Sequence, residues 1–114
     1  MIAVIFEVEP KDGHLEPYLD IAQSLRPELE AIDGFISVER FSSLTTPGKY
    51  LSLSFWRDEA ALQDWRNRPR HRAAQSTGRE VHFAGYRLRV APVARDYGMT
   101  ERAQAPADAH VLTD

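Results

Sequence analysis

A tryptophan and a histidine are the two side chains of this sequence whose types and spacing best suit chemistry. Trp65 and His71 stand six residues apart and flank Pro69, in the stretch DWRNRPRHRAAQ. A neutral imidazole near pH 7 can accept a proton from a weak acid, and its cation can stabilise the anion that results. The alternative interpretation is structural, with Trp65 in the core and His71 at the surface or at a subunit interface.

The elements that would position this pair follow from periodicity and capping. Alternating apolar residues predict a half-buried strand over 50–56, and Asp58 stands at a helix N-cap position. Pro69 disfavours a helical Arg68, so the first helix should end there and a second helix should begin at Pro69. That second helix would carry His71. A last strand is predicted from about Val81 to Val93.

Residue patterns in the N-terminal half predict two further strands and a helix. Residues 2–8 alternate as a strand, and apolar residues between Leu15 and Leu29 recur at helical spacing. Pro27 interrupts this helix and predicts a kink or a fresh start there. A second strand is expected over 35–41. The resulting order is β-α-β-β-α-β with a split second helix, which is the ferredoxin-like pattern of an α+β fold.

Composition limits the classes of function. The 114 residues suit one domain, and the net charge of −3 disfavours nucleic-acid binding. The sequence has no cysteine, which excludes disulfides, thiolate metal sites and a cysteine nucleophile. The N-terminal apolar run is too short for a signal sequence or a membrane span, so we expect a cytoplasmic protein without a membrane partner.

Two stretches resemble the antibiotic biosynthesis monooxygenase (ABM) superfamily. They are FW-x-D-E-x-A-x-x-x-W-R-x-x-P-x-H-R-x-A-Q-x-x-G-R-E, which begins at Phe55, and F-x-x-Y-R-L-R-V-A-x-V-x-R-D-Y-G, which begins at Phe83. The resemblance implies a ferredoxin-like monomer that forms a dimeric α+β barrel. It covers residues 1–98 as one domain. Residues 99–114 are predicted to be a C-terminal tail that is flexible or packed on the partner subunit.

The resemblance also implies a function. In the cofactor-independent, quinol-oxygenating members a tryptophan matching Trp65 and a polar residue six positions later belong to a pocket between sheet and helices. Carried over, His71 is the candidate catalytic acid/base, and Trp65, Tyr86 and Arg87 are candidate substrate-binding residues. The implied protein is a monooxygenase for an aromatic or quinol-type substrate, without cofactor or metal, acting as a homodimer. The alternative is a dimeric module that binds a small hydrophobic ligand or serves a stress-related role without catalysis.

Three other activities are disfavoured. Haem-degrading members pair a first-strand asparagine with a histidine about ten residues after the tryptophan, whereas this chain has Gln75 there and its only asparagine is Asn67. The four histidines, His14, His71, His82 and His110, show no metal-ligand spacing. The arginines between Arg66 and Arg79 do not share one helix face, so they predict a solvated face or a dimer rim rather than a nucleic-acid site.

The dimer is also expected on physical grounds. Helices on one face of a four-stranded sheet leave the other face open, and that face is predicted to be too apolar for water. A two-fold copy would cover it, with Glu7 and Glu39 paired to strand arginines. The residues predicted on the open face are Ala3, Ile5, Glu7, Ile36, Val38, Tyr50, Trp56, Arg87, Arg89 and Val93.

Overall fold

The computed structural model describes residues 1–109, and the prediction for His110 and the end of the tail lies outside them. In chain order the described elements are β1 (Ile2–Pro10), α1 (Leu15–Glu30), β2 (Phe35–Ser42), β3 (Tyr50–Trp56), α2 (Glu59–Arg66), α3 (Pro69–Thr77) and β4 (Phe83–Pro92). A single π-helical turn, Gly78–His82, joins α3 to β4. This order confirms the predicted β-α-β-β-α-β succession with a split second helix.

The four strands form one antiparallel sheet in the order β2-β3-β1-β4. The first strand lies at the centre, and the last strand pairs beside it at one edge. This topology confirms the α+β class and the ferredoxin-like monomer. β4 begins at Phe83, two residues later than predicted, because the backbone before it is taken up by the π-helical turn.

The helices pack on one face of the sheet and form the core there. The buried core residues are Val4, Leu25, Leu29, Ile32, Trp56, Ala61 and Trp65. α1 continues through Pro27 as a single helix, so the fresh start predicted there is wrong. Leu25 and Leu29 are each only 8% exposed. Their burial offsets the backbone hydrogen bond that proline removes.

The predicted composition of the open face is wrong for β2 and β3. In the strand register Ile2 faces Trp56 and Val4 faces Ser54, so Trp56 belongs to the helix-covered face. The register of β2 shifts between Phe35 and Ser37, a bulge that lets Phe35 and Val38 both face the helices. The open face instead carries Ala3, Ile5, Glu7, Ser37, Glu39, Phe41, Leu51, Leu53, Phe55, Arg87, Arg89 and Ala91.

The expected charge pairing on the open face is confirmed for one of its two glutamates. Glu7 lies 3.6 Å from Arg89 and 3.3 Å from Lys49. The hydrogen bond from Lys49 is the largest of the effects that lower the pKa of Glu7, with Arg89 adding to it. Within residues 1–109, Glu39 has no ion-pair partner. The open face is therefore partly charged but still broadly apolar.

After β4 the chain forms a series of short turns that bond to one another. The Gly98 N–H donates to the Glu101 carbonyl over 2.8 Å, and the Asp96 N–H donates to Gln104 over 2.8 Å. The Arg102 guanidinium lies 5.1 Å from the centre of the Tyr97 ring. Among residues 1–109 there is no helix with the length and apolarity needed to cross a bilayer.

Candidate active site

A cavity of about 360 Å³ lies between the sheet and the helices. This volume is in the range of small-molecule sites, about 300–1,000 Å³. All four strands contribute to it, and so do the three helices and the π-helical turn. Tyr86 and Leu88 line the cavity although 50% and 51% of their surfaces are exposed, so one opening lies along β4.

Trp65 and His71 both line this cavity, and their rings stack. The ring centroids are 4.5 Å apart and the planes differ by 29°. Asp58 starts α2 by accepting a hydrogen bond from the Ala61 N–H over 2.9 Å, and Arg68 is extended before Pro69. The chain therefore turns between the two helices and brings the third residue of α3 over the indole of α2. This arrangement confirms the predicted N-cap and the predicted helix start.

His71 is half-buried, and its Nδ1 atom is buried without a hydrogen-bond partner among residues 1–109. Burial lowers the pKa of His71 below its ordinary value, because the charged ring loses its hydration. The backbone of Arg66 and Trp65 opposes this shift, although neither makes a well-formed hydrogen bond to Nδ1. A neutral imidazole that borders the cavity can act as a proton acceptor at pH 7.

Aromatic rings close the other end of the cavity. Phe83 contacts Phe6, Tyr18 and Tyr86 with centroid distances of 5.9, 5.5 and 6.2 Å. Gly78 lets Phe83 approach the backbone, since a Cβ atom there would lie 2.6 Å from the ring. The π-helical turn thus seats an aromatic side chain against its own first residue and gives the cavity a flat apolar wall.

The structure brings Tyr86 to the cavity but not Arg87. Successive side chains of a strand alternate between faces, and Tyr86 shares the helix-covered face with Leu88. Arg87 lies opposite Glu7 on the open face, so it is not an anchor for a ligand in the cavity of its own subunit. Of the predicted site residues, Trp65, His71 and Tyr86 line the cavity, and Arg87 does not.

Sequence reasoning missed a second pair of histidines. His14 and His82 lie 68 residues apart in the chain, yet their Nδ1 atoms are 3.0 Å apart. His82 lines the cavity and His14 does not. Only the pairing of β1 with β4 brings them together, so no local pattern could have revealed it. Within residues 1–109, no third His, Cys, Asp or Glu joins them to form a metal-binding group.

Two of the clustered arginines are exposed, as expected of a solvated face, and also line the cavity. Arg66 and Arg79 line it, together with Arg40 from β2. Arg68 and Arg70 behave as expected and pair at the surface with Asp64 and Glu28. The sequence gives little indication of which arginines line the cavity and which pair at the surface. Residues at i and i+2 point to different sides of a helix, but their spacing does not show which side is covered.

The fold is shared with many solved structures. A candidate antibiotic biosynthesis monooxygenase from Deinococcus radiodurans matches with a TM-score of 0.75 at 12% identity, covering 86% of this chain and 97% of that one. A protein from Shewanella oneidensis matches with a TM-score of 0.71 at 17% identity, covering 79% of this chain and 87% of that one. At these identities the likeness shows the class of fold, a ferredoxin-like α+β fold.

The sequence places the chain within that class. Residues 1–77 match the antibiotic biosynthesis monooxygenase family, and the chain belongs to this family. It is 53% identical over 93 residues to jasmonate monooxygenase ABM of Pyricularia oryzae, covering 82% of this chain and 43% of that protein. It is 37% identical over 62 residues to the uncharacterised protein YqjZ of Bacillus subtilis, covering 54% of this chain and 53% of that protein. The chain thus spans about half the length of these relatives.

Proposed function

We propose that this chain is a cofactor-independent monooxygenase for a small hydrophobic substrate of aromatic or quinol type, with His71 as its acid/base. One observation carries the proposal: His71 borders an apolar cavity, stacks on Trp65, and has a pKa that burial lowers, so that the ring is neutral at pH 7. Family membership supports the monooxygenase class.

The aromatic lining supports the class of substrate. Flat rings form much of the cavity wall and can sandwich a planar molecule by offset or edge contacts. They are Phe6, Tyr18, Trp56, Trp65, Phe83 and Tyr86. The name of the Pyricularia oryzae relative adds jasmonate as a compound to test. The apolar inner part of the cavity would limit contact between water and a reactive anion.

In the proposed reaction His71 accepts the proton of the substrate's phenolic oxygen, and the resulting electron-rich ring reduces dioxygen. One oxygen atom bonds to the ring carbon. The second oxygen atom leaves as water with the two hydrogens that the substrate loses, so a CH₂ carbon of the keto tautomer becomes C=O. The first turn of α3 carries the positive end of the helix dipole, which favours the anion beside His71.

Oxygen uptake tests this proposal with anthrone, a panel of quinols and jasmonate. The His71→Ala variant should lose about 10²- to 10⁴-fold in turnover, the usual contribution of a general acid or base. His14→Gln is the matched control, because His14 does not line the cavity. Unchanged turnover in His71→Ala would remove His71 from the mechanism. Ligand binding by the wild type without any oxygen uptake would support the non-catalytic module instead.

We also propose that the chain acts as a homodimer that covers the open face of the sheet. Leu51, Leu53 and Phe55 lie in a row along β3 on that face, and Phe41 beside them is 43% exposed. Contiguous apolar surface of this kind favours self-association. Sedimentation velocity should give a dimer for the wild type, and a monomer would contradict this part of the proposal. A cytoplasmic location stays a prediction from the sequence.

A further inference from the structure

The charged residues that line the cavity have one sign. They are Arg40, Arg66 and Arg79, beside the titratable His71 and His82, and the lining includes no Asp or Glu. The whole chain is acidic, with 17 Asp and Glu against 14 Lys and Arg. A positive lining inside an acidic protein focuses the electrostatic field on the cavity and attracts an anion.

The three cavity arginines also lack the carboxylate partners that five other arginines have. Arg26, Arg57, Arg68, Arg70 and Arg89 each pair with a carboxylate. Within residues 1–109, the side chains of Arg40, Arg66 and Arg79 have neither an ion pair nor a hydrogen bond. Their guanidinium groups are therefore available to a ligand.

Arg40 has the best-defined surroundings of the three. The register of β2 and β3 places Arg40 directly opposite Ser52, on the helix-covered face that forms the cavity floor. Residues opposite each other in an antiparallel pair have Cβ atoms about 5 Å apart. The neighbouring Ser54 hydroxyl already accepts a hydrogen bond from Trp56 Nε1 over 3.0 Å. Ser52 makes no side-chain hydrogen bond with the described residues, so Arg40 and Ser52 offer adjacent free donors.

Arg40 is exposed, whereas the floor beyond it is apolar. In the next row of the sheet Val38, Val4 and Val90 line the cavity. An amphipathic ligand can place its charged group at the hydrated rim and its apolar body inside, without burying a charge. A guanidinium offers two parallel donors that match the two oxygens of a carboxylate.

We infer that the cavity selects hydrophobic carboxylic acids, with the carboxylate held by Arg40 and Ser52 and the apolar body directed towards Trp65 and His71. This inference rests on the proposed function in one respect, because it takes the cavity to be the substrate site. It adds that the substrate carries a negative charge and that Arg40 recognises this charge.

Equilibrium binding tests this inference without any need for turnover. Trp56 and Trp65 are the two tryptophans of the chain and both line the cavity, so intrinsic fluorescence reports its occupancy. We expect 2-naphthoate to bind about ten- to hundredfold more tightly than its uncharged methyl ester, as hydrogen bonds to a charged group usually contribute. Arg40→Gln should abolish this preference by weakening only the binding of the acid.

Two further variants complete the design. Arg26→Gln removes the same charge from a surface pair with Glu30 and should keep the preference. Arg40→Lys should restore part of it, because an ammonium keeps the charge but not the two parallel donors. Circular dichroism would verify that each variant is folded.

Three results would overturn the inference. They are equal affinity of wild type for acid and ester, no fluorescence response to either compound, and a preference lost in Arg66→Gln or Arg79→Gln but kept in Arg40→Gln. Oxygen uptake is a separate readout. Turnover of neutral quinols with equal binding of acid and ester would leave the proposed oxygenase intact and remove only the carboxylate preference.

Discussion

Two pairs of rings lie at or beside the cavity and use their nitrogen atoms in different ways. Trp65 and His71 contact each other through their faces, and Nδ1 of His71 has no partner within residues 1–109. His14 and His82 contact each other through Nδ1 atoms 3.0 Å apart, so each nitrogen satisfies the other. The first pair is therefore held by contact between ring faces, and the second by a hydrogen bond between ring nitrogens.

Backbone hydrogen bonds also hold the second pair. The Lys11 N–H donates to the His82 carbonyl over 2.8 Å, and the His14 N–H donates to the Lys11 carbonyl over 2.9 Å. The second pair therefore fastens the loop after β1 to the π-helical turn. The comparison teaches that the fold holds one histidine through a hydrogen bond to a second ring and the other through stacking on an indole. Only the stacked histidine is the proposed acid/base.

The largest effect should come from removing the stacked indole. Trp65 is 8% exposed and belongs to the core, so Trp65→Ala should lower the free energy of unfolding by about 3–5 kcal/mol. Trp65→Phe keeps an aromatic face for His71 and should lose less. Urea denaturation followed by circular dichroism measures both. A Trp65→Ala variant as stable as the wild type would show that the stack does not support the fold.

A second prediction concerns pH. Because the folded-state pKa of His71 is lowered, the unfolded chain binds a proton first as the pH falls below about 6.5, the ordinary value for histidine. The free energy of unfolding should therefore decrease as the pH falls from about 6.5 through the lowered pKa. His71→Gln should lack this contribution. Urea titrations of wild type and variant at several pH values test it, and parallel curves would contradict it.

The smallest effect is expected at the second pair. His14→Gln removes one hydrogen bond in a half-buried position and should cost about 0.5–1.5 kcal/mol of stability, with unchanged turnover. Urea denaturation and oxygen uptake measure the two quantities. A large loss of turnover with intact stability would show that the histidine pair takes part in the chemistry, which would break the comparison.

Much of the fold is encoded locally and could be predicted. Period-two alternation gave the strands, Asp58 and Pro69 gave the boundaries of the split helix, and helical spacing gave α1. It was harder to predict which face of the sheet each side chain takes, because one bulge near Ile36 reverses the direction of the side chains that follow it. The face of β3 depended on its register against β1, which is a long-range property.

The candidate site also has parts that the sequence predicts and parts that depend on long-range strand pairing. The Trp65–His71 pair lies within one short segment, and the family resemblance predicted that both residues belong to one pocket. The approach of His14 to His82 and the placement of Arg40 beside Ser52 depend on strand pairing. Arg87 and Tyr86 were both predicted to bind substrate, although adjacent residues of a strand face opposite sides of the sheet.

The position of His71 in the first turn of α3 limits how long it can hold a proton. An imidazolium there is repelled by the positive end of the helix and has lost part of its hydration, so the charged ring releases its proton readily. In the proposed chemistry the proton taken from the substrate would return to an oxygen atom within the same turnover. Such a cycle restores its own base, and its rate would not depend on the concentration of buffer.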